Sequence, residues 1–347
     1  MPRPLTTDAI TASLDRHLDR VTRHRARRGL PAPQVRVEAP GMLYRHGEDL
    51  PFHAASIGKL ATAALVAQDV ESGRVDWTTR IDEILGGDEL ASLFAVPGAT
   101  IEQLLGHTSG AADYFEGPTV TGPRFIRRVL DDPDHRWHPA ELLDFSREHQ
   151  RPVARPGERF AYSDTGYVLL GRALEVVNGA DYTTLLRRRV LKPAGMTTSA
   201  LWLREPGPPR IAPIHLRGVE VSRYTSVSCG WAGGGVVATT DDIARLGRAL
   251  SDGTLVSPDT WARMSRPRAR FRAGIRYGLG TMRLDFAGFS PLLRGLPHPV
   301  GHLGSLATHL FTDAERGTSV VLNFHGGREM VASFQTHIRI AQLLARL

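Results

Sequence analysis

Cysteine is almost missing from this sequence of 347 residues, in which Cys229 stands alone. One cysteine excludes an intramolecular disulfide framework and is compatible with a reducing compartment. Long apolar runs are missing too, since no stretch approaches the roughly 18 uncharged residues of a membrane span. The first 28 residues mix charged and apolar side chains where a signal peptide has its hydrophobic core. We therefore expect a cytoplasmic protein without membrane contact, unless a leader was removed from it.

Lysine is scarce as well. Lys59 and Lys192 are the only lysines among 43 cationic side chains, and the other 41 are arginines. Arginine cannot be deprotonated in a protein, whereas lysine loses its proton in a suitable site and then acts as a base. Lys59 is therefore a candidate catalytic group. The alternative interpretation is that one of two remaining lysines falls there by chance.

A net charge of +7 raises the question of a nucleic-acid partner. The arginines are scattered, however, and neither a basic stripe interleaved with aromatic residues nor zinc-ligand spacing accompanies them. No set of His, Asp and Glu residues has the spacing of metal ligands. We expect no nucleic acid, no metal and no cofactor, and we expect a small molecule as the partner. The sequence does not indicate an oligomeric state.

Strand-like runs cluster near both ends of the chain, at 34–37, 41–44, 305–311 and 318–324. The last two are separated by a turn-rich connection, which indicates a hairpin. A helix capped by Thr7 is predicted before these runs, because Ile10, Leu14, Leu18 and Val21 recur at helical spacing. A second terminal helix is predicted from the spacing of Val331, Phe334, Ile338 and Ala341.

The middle of the chain, from about 60 to 203, has mostly helical patterns, and the segments 141–148 and 166–177 are the clearest. Prolines between 206 and 213 mark a return to strand-rich sequence. The fold class expected is therefore α+β: an antiparallel sheet flanked by the N- and C-terminal helices, with an inserted, mostly helical domain and the active site between them. We expect 1–65 and 225–347 to form the sheet domain, and 66–224 to form the inserted domain.

The segment 52–60 runs directly into a strong helix-forming stretch that ends near Gly73. Ser56 thus lies at a helix start, and Lys59, three residues later, lies on the same helical face. The helix N-terminus also favours negative charge that develops during attack by the serine. A Ser-x-x-Lys match alone is common, and an ordinary capped helix is its structural alternative.

Further motifs follow in order along the chain. A Gly-His-Thr-Ser-Gly turn spans 106–110, a Tyr-Ser-Asp triplet begins at Tyr162, a glycine run spans 233–235, and a His-Leu-Gly triplet begins at His302. Together with Ser-x-x-Lys, this order resembles the serine β-lactamase and penicillin-binding-protein superfamily. The resemblance covers roughly 52 to 324. It is to the class C β-lactamase-like branch, which includes penicillin-binding-protein-like esterases, D-aminopeptidases, DD-peptidases and acyltransferases.

The resemblance implies roles for particular residues. Ser56 is the acylated nucleophile, and Lys59 and Tyr162 are the groups that exchange protons with it; which of them acts as general base stays open. The backbone N–H groups of Ser56 and Ser305 form the oxyanion hole. Asp164, His302 and Gly304 belong to the substrate-binding and supporting residues.

Two departures from the family pattern bear on specificity. Asp164 stands where much of the family has Asn, so a carboxylate close to Lys59 would stabilise the ammonium and weaken lysine as a base. His302 stands where β-lactamases have a lysine, so a permanent cation for a substrate carboxylate is missing near neutral pH. Both departures argue against efficient β-lactamase activity.

We expect a serine hydrolase, esterase- or amidase-like, that acts on a carboxylic ester or a small amide. An acyltransferase using the same acyl-enzyme is the alternative, while a β-lactamase or DD-peptidase and a non-catalytic binding protein rank lower. Three other residues have structural interpretations. His107 is expected to support its loop, His53 to end a strand, and Cys229 to pack as a small hydrophobic side chain.

Overall fold

The strands gather near the two ends of the chain, and most helices lie between them. A computed structural model, which describes residues 4–347, gives the strands β1 (Gln34–Ala39), β2 (Met42–His46), β3 (Phe52–His53), β4 (Ala200–Leu201), β5 (His215–Leu216), β6 (Val219–Glu220), β7 (Val236–Ala238), β8 (Ala269–Arg272), β9 (Ile275–Tyr277), β10 (Met282–Leu284), β11 (Val300–Gly304), β12 (Thr308–Asp313) and β13 (Thr318–Asn323). The helices are α1 (Thr7–Ala26), α2 (Lys59–Glu71), α3 (Gly87–Leu90), α4 (Ile101–Leu105), α5 (Phe125–Asp131), α6 (Pro139–His149), α7 (Asp164–Asn178), α8 (Tyr182–Leu186), α9 (Trp231–Gly234), α10 (Thr240–Ser251), α11 (Pro258–Ser265) and α12 (Met330–Leu344).

One large antiparallel sheet joins the two chain ends. Its eight strands lie in the order β2-β1-β13-β12-β11-β10-β9-β8. The pairing of β1 with β13 sets Val37 opposite Val320, and β12 and β13 form the predicted hairpin. The α+β class and the antiparallel sheet predicted from the sequence are therefore confirmed.

The N-terminal helix α1 follows the predicted apolar spacing. Ile10, Leu14 and Leu18 are fully buried and pack in one cluster with β1, β2, β13 and α12. The cap is Thr6, not Thr7: the Thr6 hydroxyl accepts a hydrogen bond from the N–H of Ala9 at 3.3 Å. Threonine caps from either position by the same bond, so the sequence alone placed the helix start one residue late.

The C-terminal helix α12 buries the predicted face except at its first residue, since Phe334, Ile338 and Ala341 pack in one core cluster. Val331 is exposed, whereas Ser333, His337 and Ile340 face the core. The two polar side chains are tolerated there because His309 of β12 bonds to both: its Nε2 lies 2.8 Å from the Ser333 hydroxyl, and its Nδ1 lies 3.1 Å from Nδ1 of His337. An apolar spacing pattern does not detect polar residues that satisfy one another.

The helix that follows Ser56 is enclosed on nearly all sides. Every residue from Lys59 to Ala67 in α2 is buried, and α7, α8 and α9 pack around it. A helix that is apolar around its whole circumference belongs in a protein interior. The start of α2 is therefore held rigidly, and this fixes the groups that it carries.

The segment between β2 and β8 contains α2 to α11. Within it, α10 packs on β12 and β13, and a methyl group at Gly247 would lie 2.8 Å from the Thr312 side chain. The division into 1–65 with 225–347 and 66–224 stays a prediction. Across residues 4–347, none of the helices combines the length and the apolar character needed to cross a membrane.

Candidate active site

Ser56 lies in a 3-10 turn, Ala55–Gly58, that leads into α2. The turn begins with Ala55 in a left-handed conformation (φ 50°), which non-glycine residues rarely adopt and which the surrounding structure must hold. The N–H of Ala55 donates to Nδ1 of His53 at 3.2 Å. This bond contributes to holding the turn that presents the half-buried Ser56 hydroxyl.

Lys59 is fully buried, and its ammonium has three acceptors. Its Nζ lies 3.1 Å from the Ser56 hydroxyl and 2.6 Å from the carbonyl oxygen of Gly233, and it forms an ion pair with the carboxylate of Asp164. An ammonium has three N–H donors, so this set uses all of them. The predicted approach of Lys59 to Ser56 is present in the structure.

Asp164 is the first residue of α7 and supplies the negative charge opposite Lys59. A second carboxylate, Asp113, accepts a hydrogen bond from the backbone N–H of Asp164 at 3.2 Å. Burial and the negative charge of Asp164 raise the pKa of Asp113. The site therefore holds Asp164 against Lys59 and favours a protonated Asp113 beside it.

Tyr162 lies against the same lysine. The Nζ of Lys59 is 5.1 Å from the centre of the Tyr162 ring. Burial, and then the charge of Asp164, raise the pKa of Tyr162 well above its ordinary value, while a hydrogen bond with Ser56 acts in the opposite direction. Ser56, Lys59 and Tyr162 are thus brought together, and the phenol is neutral near pH 7.

His302 supports the site from inside the protein. Its side chain is fully buried, its Nδ1 donates to the carbonyl of Leu303 at 2.6 Å, and its Nε2 accepts from the Tyr277 hydroxyl at 3.0 Å. Burial lowers the pKa of His302 to about 3. Both ring nitrogens are occupied by protein groups, so of the substrate-binding and supporting roles expected for His302 this geometry favours the supporting one.

A chain of hydrogen bonds continues from Tyr277 to the Tyr-Ser-Asp triplet. The Tyr277 hydroxyl lies 2.9 Å from Nε2 of His107, and Nδ1 of His107 accepts from the N–H of Ser163 at 3.1 Å. Since Nδ1 of His107 is an acceptor, its Nε2 carries the proton and donates to Tyr277. The chain connects the segment carrying Tyr162 to strand β11.

Gly304 ends β11 beside the nucleophile, and Ser305 follows it. A methyl group at Gly304 would lie 2.8 Å from the carbonyl oxygen of Ala54, so only glycine allows this approach. A second close approach that requires glycine lies in the turn that carries Ser56, where a methyl group at Gly58 would lie 2.9 Å from Cα of Gly234. The half-buried Ser305 lines the same cavities as Ser56.

Two cavities meet at Ser56. The narrow pocket, of about 70 Å³, has a mainly apolar lining that includes Val129, Ile214, Val221, Val227 and Leu306. The wide cleft, of about 560 Å³, is lined by charged side chains, including Glu116, Arg217, Arg272 and Arg328. Ser56, Ser305 and Asp164 line both. The serine hydroxyl is therefore open to two chemically different spaces.

Three contributors to the site were not identified from the sequence: the Gly233 carbonyl, Asp113 and Tyr277. The glycine run at 233–235 was visible as a motif, but its role depends on a backbone oxygen, which residue type does not encode. Asp113 belongs to no motif, and its role depends on the N–H of Asp164, 51 positions further along the chain. Tyr277 carried no motif, and only its place between two histidines gives it a role.

The fold places a serine hydroxyl beside a buried lysine at the junction of two cavities. The chain belongs to the Beta-lactamase family, whose model matches residues 21–345. Penicillin-binding protein 4 of Amycolatopsis lactamdurans is 31% identical over 220 residues, which cover 61% of this chain and 53% of the relative. The chain spans about half the length of the curated relatives it matches first.

Two solved structures illustrate the shared fold. A D-stereospecific amidohydrolase from Streptomyces sp. aligns with a TM-score of 0.78 at 23% identity, over 91% of this chain and 94% of that one. EstCE1, described as a hydrolase with promiscuous acyltransferase activity, aligns with a TM-score of 0.74 at 20% identity, over 96% of this chain and 99% of that one. At these identities the likeness concerns the fold alone.

Proposed function

We propose that the protein hydrolyses a carboxylic ester or a small amide through an acyl-Ser56 intermediate. The observation that carries this proposal is the 3.1 Å contact between the Lys59 amine and the Ser56 hydroxyl at the junction of the two cavities. A serine hydroxyl is a weak nucleophile and needs an adjacent group that exchanges its proton. Hydrolase names among the structural neighbours agree with this chemistry.

Proton transfer in this site depends on pH. Lys59 uses all three N–H groups as donors and Tyr162 is a neutral phenol, so one of them must lose a proton before it accepts one from Ser56. Because the pKa of Tyr162 is raised, its phenolate becomes available only at alkaline pH. The proposal therefore predicts that kcat/KM rises from neutral to alkaline pH.

The oxyanion hole is assigned to the backbone N–H groups of Ser56 and Ser305. Ser56 begins a helical turn and Ser305 follows the end of β11, and both residues line the narrow pocket and the wide cleft. Fixed backbone donors stabilise the negative charge that develops on the substrate oxygen. Ser305→Ala keeps the backbone N–H and serves as the control for the nucleophile test.

The test is Ser56→Ala, assayed with p-nitrophenyl esters and with a fluorophosphonate that labels the active serine. Loss of a nucleophile of this kind lowers turnover on the order of a million-fold, while the fold is retained. Intact-protein mass spectrometry should show one label on the unaltered protein and on Ser305→Ala, and none on Ser56→Ala. Full labelling of Ser56→Ala, or a loss of turnover below about tenfold, contradicts the assignment.

Acyl transfer is the second candidate, and the wide cleft favours it. A space of about 560 Å³ beside Ser56 has room for an acceptor alcohol or amine as well as for water. The acyl-enzyme is common to both reactions, and acceptor access decides between them. Adding a primary alcohol to the ester assay should give a new ester, detected by mass spectrometry, if transfer competes with hydrolysis.

A further inference from the structure

One buried polar atom in the narrow pocket has no partner. Of the described residues that line this pocket, His53 alone has a buried side-chain atom, Nε2, without a hydrogen-bond partner. The residue is 9% exposed, and it ends the short strand β3 two positions before Ala55. A buried polar group without a partner destabilises the folded protein. Such a group is tolerated where a bound molecule completes it.

The protonation of this ring follows from its other nitrogen. Nδ1 of His53 accepts from the N–H of Ala55, so Nδ1 carries no proton. Burial lowers the pKa of His53 to about 4, so the ring is neutral at pH 7. A neutral ring with a bare Nδ1 carries its proton on Nε2. His53 therefore offers the pocket one N–H donor and no acceptor.

The surroundings of the ring explain why nothing else uses this donor. The Tyr114 hydroxyl, on the same pocket, donates to the carbonyl of Cys229 at 2.7 Å, and the Cys229 thiol is held protonated by burial, with a pKa raised to about 12. A methyl group at Gly230 would lie 3.4 Å from Cε1 of His53. Gly230 and His53 both line the pocket, so the ring forms part of its wall.

The two cavities differ in which end of a substrate they suit. A leaving group must depart after acylation, and the cleft of about 560 Å³ gives it room. The apolar pocket of about 70 Å³ suits a short acyl chain that stays on Ser56. We propose that this pocket binds a short, apolar acyl chain that carries a hydrogen-bond acceptor, such as a ketone or amide oxygen, and that His53 selects it through Nε2–H. The inference rests on the proposed function, because it assigns the acyl end of the substrate.

Matched esters test the selection. The p-nitrophenyl esters of 4-oxopentanoate and 4-methylpentanoate have the same number of heavy atoms, and 5-oxohexanoate and 5-methylhexanoate repeat the comparison one carbon further out. Intrinsic reactivity is removed by dividing each kcat/KM by the rate of hydroxide-catalysed hydrolysis. At one of the two lengths, the ketone should be preferred about fivefold, as expected for one neutral hydrogen bond. If the unaltered protein shows no preference for the ketone at either chain length, the proposal is overturned, and no variant is needed for that conclusion.

Two substitutions separate the two nitrogens of His53. His53→Asn places an amide oxygen near Nδ1, so it keeps an acceptor for Ala55 and removes the donor at Nε2. His53→Gln places an amide nitrogen near Nε2, so it keeps the donor and removes the acceptor. The Asn variant should lose the ketone preference, while the Gln variant should retain it. A ketone preference that survives in the Asn variant, or that the Gln variant loses, overturns the proposal.

Failure of this inference is distinguishable from failure of the proposed function. Fluorophosphonate labelling at Ser56 reports the nucleophile, whatever the acyl preference. If the unaltered protein is labelled at Ser56 and hydrolyses the ketone and its branched analogue equally well, the role of His53 is wrong and the function stands. If Ser56 is not labelled, the proposed function itself is wrong.

Discussion

Two buried clusters of titratable groups differ in how they offset the free-energy cost of burying a charge. The active-site cluster, Lys59, Asp164 and Asp113, keeps an ammonium and places a carboxylate against it. The α12 cluster, His309, His337 and Ser333, keeps no charge: burial lowers the pKa of His309 far below its ordinary value and that of His337 to about 3. An unpaired buried charge costs several kcal/mol. This chain therefore retains a buried charge beside the serine hydroxyl and avoids a buried charge beneath α12.

The largest expected effect comes from breaking the charge pair. Lys59→Met leaves the Asp164 carboxylate without its cation, and removing one partner of a buried pair costs about 3 to 5 kcal/mol in the free energy of unfolding. The double variant Lys59→Met/Asp164→Asn removes both charges and should recover most of that loss. Urea unfolding measures all three proteins. A double variant as unstable as the single one would show that charge is not the cause.

The α12 cluster predicts a loss of stability in acid. The two histidines have lowered pKa values in the folded protein, so below about pH 6.5 the unfolded chain binds protons that the folded protein does not. The contribution of these histidines to the free energy of unfolding is therefore complete above about pH 6.5. It is lost as the pH falls toward about 3. In the double variant His309→Leu/His337→Leu, the free energy of unfolding should fall less between pH 6 and pH 5, by about 2.7 kcal/mol.

The control for this variant is His24→Gln on the exposed face of α1, because His24 is not enclosed by the core. The free energy of unfolding of the His24→Gln variant should depend on pH in the same way as that of the unaltered protein. An identical acid slope in the double variant would mean that the two histidines titrate alike in the folded and unfolded chains.

The hydrogen-bond chain behind the active site is a third buried arrangement, in which the neutral hydroxyl of Tyr277 joins two histidines. Tyr277→Phe leaves Nε2 of His107 without an acceptor and Nε2 of His302 without a donor, so the free energy of unfolding should fall by about 1 to 3 kcal/mol. Tyr182→Phe is the matched control, since that equally buried hydroxyl bonds to a single side chain, the Thr62 hydroxyl, at 2.6 Å. Equal losses in urea unfolding would show that Tyr277 does not connect the two histidines.

The smallest effect concerns the pH dependence of activity. Asp164→Asn removes a negative charge that raises the pKa of Tyr162, so the rise of kcat/KM with pH should move to lower pH, by about one unit. Asp113→Asn should shift it less, because the raised pKa of Asp113 already favours its protonated form. A matched series of pH–rate profiles decides this, and an unchanged profile for Asp164→Asn contradicts it. Hydrolysis of nitrocefin by Asp164→Asn would add support for a specificity role.

The features predicted correctly from the sequence are those that residue spacing over a few positions determines. The three-residue step from Ser56 to Lys59 fixes one helical face, and the apolar spacing of Ile10, Leu14 and Leu18 fixes the core side of α1. The α+β class followed from where strands and helices fall along the chain. These features depend on local periodicity, which a single sequence contains.

Contacts between distant segments were not predictable in the same way. The Gly233 carbonyl reaches Lys59 across 174 positions, and Tyr277 joins His107 to His302 across 170 and 25 positions. His302 was expected among the substrate-binding and supporting residues, and its contact with the Tyr277 hydroxyl becomes visible only in the fold. In α12, mutual hydrogen bonding admits Ser333 and His337 to the core beside the predicted apolar residues, and an apolar spacing pattern does not detect them.

The complete enclosure of Lys59 has a practical consequence for attaching the protein to a surface or a dye. Lys192, directly after the helical turn Arg187–Leu191, is the lysine whose side chain is exposed, and it lines neither the narrow pocket nor the wide cleft. An N-hydroxysuccinimide ester therefore meets one lysine side chain in solution. Coupling through that amine anchors the molecule by a single lysine and leaves both openings at Ser56 uncovered by the reagent.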